Sequence, residues 1–326
     1  MVNKQYIVAE NTGTSSSSSL KLAQKVKDYF QLVKFTLSFT VVFSCVICYL
    51  LAPNVQVHNT DTIIKVIELF IAGMLVTGSA NAINQAVEKD TDALMKRTGK
   101  RPVAAGRMIQ EEAYVFAAIA GLLGVFMMYK VFNMPSALLS ALSLFLYAFV
   151  YTPLKKVNSI AVLVGALPGA LPCLIGWVAA TGVISPVEQV PLRENFFSNG
   201  AGWVLFAIQF LWQFPHFWAI AWVAHNDYSK AGFKLLPADK GPTKFTAIQA
   251  VMYSVLMIPV GILPYQFNIS GQVSLWIVLA CNLGMVIQSL RLYKDMDVKA
   301  ARRVMFSSYI YLPVVFLALL GDKVGV

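Results

Sequence analysis

The chain has 326 residues, of which 57% are apolar and 13% charged, and its mean hydropathy is +0.64. Soluble domains carry about 25% charged residues, so this composition excludes a water-soluble globular protein and describes one that lies mostly in lipid. The net charge of +10 is gathered in a few loops, and no nucleic-acid partner is expected.

In chain order, residues 1–24 contain the run Ser15 to Ser19 and no apolar periodicity, which predicts a disordered tail. The apolar run that follows is too long for a signal peptide and ends in no small-residue cleavage site. Residues 25–326 read as one transmembrane domain. Runs of about 20 apolar residues span a bilayer, and nine are legible: roughly 33–52, 63–86, 112–130, 135–152, 159–181, 201–223, 245–264, 272–290 and 304–321. No ten-residue alternating units suggest a barrel. The expected fold is all-α, with nine transmembrane helices bundled around a central cavity.

Of 26 Lys and Arg, 22 lie in the N-terminal segment and in the loops after spans two, four, six and eight; the others are Lys65, Lys130, Arg193 and Lys323. The positive-inside rule places the N-terminus and those loops in the cytoplasm and the C-terminus outside. In a bacterial cell this predicts a multi-pass protein of the inner, cytoplasmic membrane. Loop 182–200 reads as a surface cap on the outer side. Lys65 and Glu68 read as a neutralising pair. Cys45 and Cys48 form a C-x-x-C inside an apolar span, where a thiolate has no access, so they read as packing side chains. Pro168 and Pro172 flank Gly169 in span five and are expected to shape the packing there.

The most informative stretch runs from Asn84 through Glu88, Asp90 and Asp92 into Lys96, Arg97, Lys100 and Arg101. It lies where span two meets water. A carboxylate at that depth is costly and marks a functional site by default. In a continuous helix Asn84, Glu88 and Asp92 share one face over about 12 Å. Oxygen ligands on one face suit Mg²⁺, which takes one or two carboxylates and completes its shell with water and substrate phosphate. The following basic residues can hold the remaining phosphate charge. Two further clusters are Tyr151-Thr152-Pro153-Leu154-Lys155-Lys156-Val157-Asn158 and the stretch from Trp212 to Pro237, with Pro215-His216-Phe217-Trp218, Asp227-Tyr228 and Lys230. The second places another acid-and-base loop four spans later, on the same side, so two halves of a bundle would face each other across one cavity.

Taken together, these motifs resemble the heme O synthases, or protoheme IX farnesyltransferases, of the UbiA-type intramembrane prenyltransferases. The resemblance runs from about residue 29 to 321. It implies transfer of a farnesyl group from farnesyl diphosphate to the 2-vinyl group of heme B, with water added, giving heme O and diphosphate. Heme B is then a substrate and Mg²⁺ the cofactor. Asn84, Glu88, Asp90 and Asp92 match the first metal-diphosphate motif, and Asp227 matches the second. Arg97, Lys100, Arg101, Lys155, Lys156 and Lys230 are the expected diphosphate-holding cations. His216 lies in the motif that separates heme users from other members, and it is the expected heme contact; His225, at the water edge, is the poorer candidate. In a continuous helix His216 and Asp227 share a face about 16 Å apart.

Two departures from the family pattern stand out. Glu88 replaces the usual Asp. Asn226 stands where a second acid is common, and Ala231 where relatives end an Asp-x₃-Asp pattern, so the second motif carries less charge. The resemblance also raises heme A synthase or the oxidase assembly as a protein contact. Two other readings compete. A prenyltransferase with a quinone- or chlorophyll-type acceptor would share the acid clusters. A secondary transporter would place its coupling acids near the midplane, whereas these lie at one surface.

Overall fold

In the computed structural model, residues 13–191, 196–237 and 241–324 are described. Helix α1 spans Gly13–Leu32 and α2 Phe35–Leu51. Then come α3, Thr60–Val87; α4, Lys89–Ala93; α5, Gln110–Phe132; α6, Met134–Leu154; and α7, Ala161–Thr181. A hairpin of β1, Gln189–Pro191, and β2, Phe196–Ser198, leads into α8, Gly200–Val223, and α9, His225–Lys230. The chain ends with α10, Lys244–Gln266; α11, Gln272–Asp295; and α12, Val298–Gly321.

Among the described residues, eight helices are long and apolar enough to cross a membrane, and the bent pair α1–α2 makes nine. The expected spans therefore correspond to α2, α3, α5, α6, α7, α8, α10, α11 and α12. The outward faces carry apolar side chains such as Leu122 and Trp276, 75% and 66% exposed. Such faces would be a liability in water, but they are at home in hydrocarbon. This is a multi-pass membrane protein.

Capping explains several boundaries. Asn59, Asn133 and Asp297 accept from the backbone N–H groups of Asp61, Ser136 and Ala300, satisfying otherwise orphaned donors at the starts of α3, α6 and α12. Gly182 closes α7 at φ 76°, a conformation that costs glycine little. Helix α7 is the most enclosed of the spans and lies between α2, α6 and α8. A Cβ on Gly176 would collide with the Cys45 carbonyl oxygen, so α2 and α7 meet backbone to backbone there. Pro168 and Pro172 sit in this inner helix. Its neighbouring carbonyls at Ala166 and Gly169 accept from Gln213 and Gln209 of α8, at 3.1 and 2.7 Å. Cys45 and Cys48 are free and buried, and Lys65 pairs with Glu68 at 3.1 Å.

Three expectations need correction. The tail expected over residues 1–24 is helical from Gly13 onward, and residues 1–12 lie outside the described residues. The reason is docking farther along: Asp28 pairs with Arg107 at 2.9 Å and Lys25 with Glu112 at 2.6 Å. Once such a helix is nucleated, each added turn is cheap even for serine. Loop 182–200 contains the β1–β2 hairpin, a pairing that no alternation in the sequence announced. Helix α3 does not run through the acidic motif: it stops at Val87, and Glu88 takes φ −94°, ψ 14° before α4 begins.

Candidate active site

The break at Glu88 has a counterpart in the second half. Helix α8 stops at Val223, Ala224 takes φ −98°, ψ 15°, and α9 follows. Each break keeps a backbone bond across it, Asp92 N–H to Glu88 O at 2.7 Å and Tyr228 N–H to Ala224 O at 3.0 Å. The two halves thus use one device, a long helix with a short kinked extension. Between them, at one end of the bundle, opens a cavity of about 380 Å³. That lies within the roughly 300–1,000 Å³ typical of small-molecule sites.

Asn84, Glu88 and Asp92 line one wall, all nearly sealed from solvent, with exposures of 1%, 4% and 1%. Each is met by a cation. Lys34 Nζ donates to Asn84 Oδ1 at 2.8 Å. Lys155 Nζ lies 2.6 Å from Glu88 Oε1. Arg101 Nη1 donates to Asp92 Oδ2 at 2.6 Å. Asp92 Oδ1 is buried without a hydrogen-bond partner. Thr98 Oγ1 donates to the Asp92 carbonyl at 2.9 Å and folds the basic loop back onto the acids.

Lys155 is boxed in. Its ammonium lies 4.9 Å from the Tyr151 ring centroid and 5.5 Å from that of Phe233. Its carbonyl accepts from Lys234 N–H at 2.8 Å, which ties the loop after α9 to the end of α6. Burial pushes this ammonium below the ordinary lysine range, and the Glu88 carboxylate opposes that shift. The last turns of α6, Leu146–Tyr151, are wound as a π-helix. Such bulges re-aim side chains and often occur at functional sites. Here Tyr147 and Tyr151 both line the cavity.

The far wall comes from α8, α9 and α12. His216, Phe217, Ile220, Tyr228 and Tyr309 line it. Arg97 reaches across the mouth, and its Nη2 donates to Tyr228 Oη at 2.9 Å. His216 Nδ1 lies 2.8 Å from Ser308 Oγ.

The cavity therefore gathers Asn84, Glu88, Asp92, Arg97, Arg101, Lys155 and His216 from among the expected residues. It does not gather Asp90, Lys100, Lys156 or Lys230, which are exposed, or Asp227, which is half-buried on α9. The kink explains Asp227. In register, Ile220, Ala224 and Tyr228 repeat the positions of Asn84, Glu88 and Asp92, so Tyr228 faces inward and Asp227 falls one residue aside. The same kink ends the continuous helix on which His216 and Asp227 would have shared a face. Gln209 and Gln213, on the His216 stripe in sequence, are spent on α7 carbonyls.

Lys34 was missed as a site residue. It sits at the 49° bend between α1 and α2, in the left-handed region at φ 48°. That conformation is uncommon outside glycine, asparagine and aspartate, and for lysine points to a constraint. In the sequence it reads as one more cation of the basic N-terminal segment, at the edge of the first apolar run, so no local signal sets it apart.

Two buried carboxylates and one amide oxygen share a wall, and one carboxylate oxygen is unpartnered. This donor set fits Mg²⁺ as a hard, oxygen-liganded ion. Among the described residues no three His, Cys, Asp or Glu side chains form a metal cluster of their own. Four cations, Lys34, Arg97, Arg101 and Lys155, face only two carboxylates. The surplus positive charge suits a polyanion.

A model of the UbiA prenyltransferase family matches residues 41–317. The chain belongs to the UbiA prenyltransferase family. It is similar to the protoheme IX farnesyltransferase of Cytophaga hutchinsonii, with 43% identity over 303 residues, covering 93% of this chain and 100% of that one. The corresponding protein of Flavobacterium psychrophilum is 40% identical over 91% of this chain and 94% of its own length. The mitochondrial protoheme IX farnesyltransferase of Arabidopsis thaliana is 34% identical over 96% of this chain and 70% of its own. Solved structures share the UbiA fold. A digeranylgeranylglyceryl phosphate synthase aligns with a TM-score of 0.73 at 20% identity, covering 93% of this chain and 100% of that one. A UbiA homolog from Archaeoglobus fulgidus, solved with GPP and Mg²⁺, aligns at 0.59 and 15% identity, covering 90% of this chain and 99% of that one. As a UbiA member this chain is a membrane prenyltransferase.

Proposed function

We propose that the chain transfers the farnesyl group of farnesyl diphosphate to the 2-vinyl group of heme B, giving heme O and releasing diphosphate. The observation that carries this reading is that one cavity joins an acid-and-cation wall to the open edge of His216. The first feature fits a diphosphate and the second an iron porphyrin. The names of the similar proteins support the same pair of substrates.

The residues divide the work. Asn84, Glu88 and Asp92 would hold Mg²⁺, which, when bound, neutralises charge on the leaving diphosphate. Lys34, Arg101 and Lys155 are placed within reach of the same anion. In this structure they contact Asn84, Asp92 and Glu88, and the charge left over is positive. Arg97 closes the mouth. As the allylic C–O bond breaks, the electron pair leaves with diphosphate, and this set stabilises the growing charge. Tyr147 and Tyr151 line the cavity and would put aromatic rings near the developing allylic cation. The apolar interior shields that cation from early capture by water. The terminal carbon of the heme B vinyl group bonds to the allylic carbon, the positive charge passes to the inner vinyl carbon, and water adds there and gives up one proton to the released diphosphate, leaving the hydroxyl. His216 contacts the heme, as an iron ligand through its free nitrogen. This end faces the cytoplasm and the C-terminus lies outside, a reading that the basic loops around the mouth support.

The deciding experiment incubates membranes containing the full chain with heme B, farnesyl diphosphate and Mg²⁺, followed by mass analysis of extracted heme. A farnesylated, hydrated heme is expected. Unmodified heme alongside farnesylation of an added quinone would reject the assignment.

A further inference from the structure

The hydrogen-bond chain behind His216 fixes more than its position. On α12, Ser308 Oγ lies 2.6 Å from the Met305 carbonyl oxygen and 2.8 Å from His216 Nδ1. Two oxygens at that separation repel unless a proton lies between them. A serine hydroxyl has one proton. It is therefore given to Met305, and Ser308 can only accept from the imidazole. Nδ1 must carry the hydrogen, and in the neutral ring Nε2 must be bare.

Among the described residues Nε2 makes no hydrogen bond, it is not among the sealed, unpartnered atoms, and the ring lines the cavity. The ring is held on several sides. Trp212 stacks on it at 4.4 Å with a 21° tilt, and Phe217 and Tyr309 present edges at 5.3 Å. Trp212 is pinned in turn by its Nε1 donating to the Ser308 carbonyl at 2.9 Å. Ser308 thus anchors both rings, is itself fully buried, and does not line the cavity.

We propose that Ser308 is a positioning residue for the heme substrate: it locks His216 in the Nδ1–H tautomer and presents an unprotonated Nε2 to the iron. This rests on the reading that His216 contacts heme. Imidazoles that ligate metals generally donate their other N–H to a fixed acceptor, which sets the tautomer and raises ligand basicity. Losing such an acceptor typically costs about 10–100-fold in metal affinity.

The test uses the purified full chain with heme B. Soret titration gives the heme Kd, and resonance Raman of the ferrous complex gives the Fe–histidine stretch, which reports on the Nδ1–H hydrogen bond. Ser308→Ala should weaken heme binding about tenfold and move the stretch to lower frequency, while farnesyl diphosphate binding stays unchanged. Ser308→Thr and Ser308→Val are isosteric and differ in the hydroxyl, so they decide the question if the alanine variant folds poorly. Threonine should keep the wild-type band and valine should lose it. Equal bands and Kd values for the threonine and valine variants overturn the role of Ser308. A His216→Ala variant with an unchanged spectrum overturns the heme contact itself, which is a separate failure.

Discussion

Arg101 and Asp92 meet Nη1 to Oδ2 at 2.6 Å, as close as Lys155 and Glu88, yet the second oxygen of Asp92 is buried and unpartnered. The carboxylate is thus half satisfied by the protein. Breaking a buried pair from one side leaves an uncompensated charge and costs about 3–5 kcal/mol, less where a partner is partly hydrated; the Arg101 side chain is 20% exposed. Arg101→Ala should therefore lower the thermal midpoint in detergent by several degrees. Asp92→Asn should fold normally and lose about 10²-fold in kcat, the scale of removing one charge-stabilising group. Arg101→Ala combined with Asp92→Asn should be more stable than Arg101→Ala alone and still inactive. Full turnover by Asp92→Asn at limiting Mg²⁺ would reject the metal assignment.

Facing the cavity, which even the exposed Arg97 does, separates the cations of the site from those around it. Lys34, Arg101 and Lys155 line the cavity, whereas Lys100, Lys156 and Lys230 are exposed. Charges exposed to water are weakened by solvent and salt, whereas charges facing an enclosed cavity are screened much less. Single alanine changes at the first three should raise the KM for farnesyl diphosphate by tenfold or more, with little change for heme. The same changes at the other three should stay within about twofold, as expected for screened surface charges. Steady-state kinetics with each substrate varied in turn gives the comparison. A Lys156→Ala effect as large as that of Lys155→Ala would move the diphosphate site outward.

The spans were legible because apolar length is a strong signal in lipid, and the acid wall because a carboxylate at a membrane edge stands out against it. What stayed hidden depended on backbone kinks. Glu88 and Ala224 adopt nearly the same dihedrals, but neither residue type announces a break. Helical register carried across Ala224 put Asp227 on the cavity face; the actual turn gives that place to Tyr228. The β1–β2 hairpin is three residues per strand, too short for alternation to register. Lys34 reads as one more cation of the N-terminal segment, and its counterpart Asn84 lies 50 residues away, a pairing that only the fold supplies. The Ser308–His216 contact spans 92 residues and has no local signature at all.

Lys323 ties the chain's end to the loop after α2. Its ammonium donates to the carbonyls of Leu50, Ala52 and Val55 at 2.7, 2.8 and 2.8 Å. Burial pushes this group down to about 8. The folded form therefore loses its proton at a lower pH than the unfolded chain. Between pH 8 and the ordinary lysine range the unfolded state binds more protons, so this term makes stability rise with pH across that window. Lys323→Met removes three donors from buried acceptors, at about 1–3 kcal/mol for each group left unmade. The variant should melt lower at pH 7 and lack the wild-type increment in thermal midpoint between pH 8 and 10. Parallel pH profiles for the two proteins would show that Lys323 does not titrate there.

Arg97 and Tyr228 bridge the two kinked extensions across the mouth of the cavity. Arg97 Nη2 donates to Tyr228 Oη at 2.9 Å, and the guanidinium carbon lies 5.7 Å from the ring centroid. Tyr228 also packs edge-on against Phe233 at 5.9 Å, so removing the whole ring would disturb more than this clasp. Tyr228→Phe isolates the hydroxyl. An exposed hydrogen bond of this kind contributes about 0.5–1.5 kcal/mol, and its loss frees the guanidinium for a diphosphate. Tyr228→Phe should therefore leave the KM for farnesyl diphosphate unchanged or lower it. Arg97→Ala should raise that KM, because it removes the anion partner itself. The double variant should match Arg97→Ala, since the tyrosine hydroxyl acts only through the arginine. If Tyr228→Phe instead raises KM as much as Arg97→Ala does, the closed clasp, rather than the released guanidinium, is the form that holds substrate.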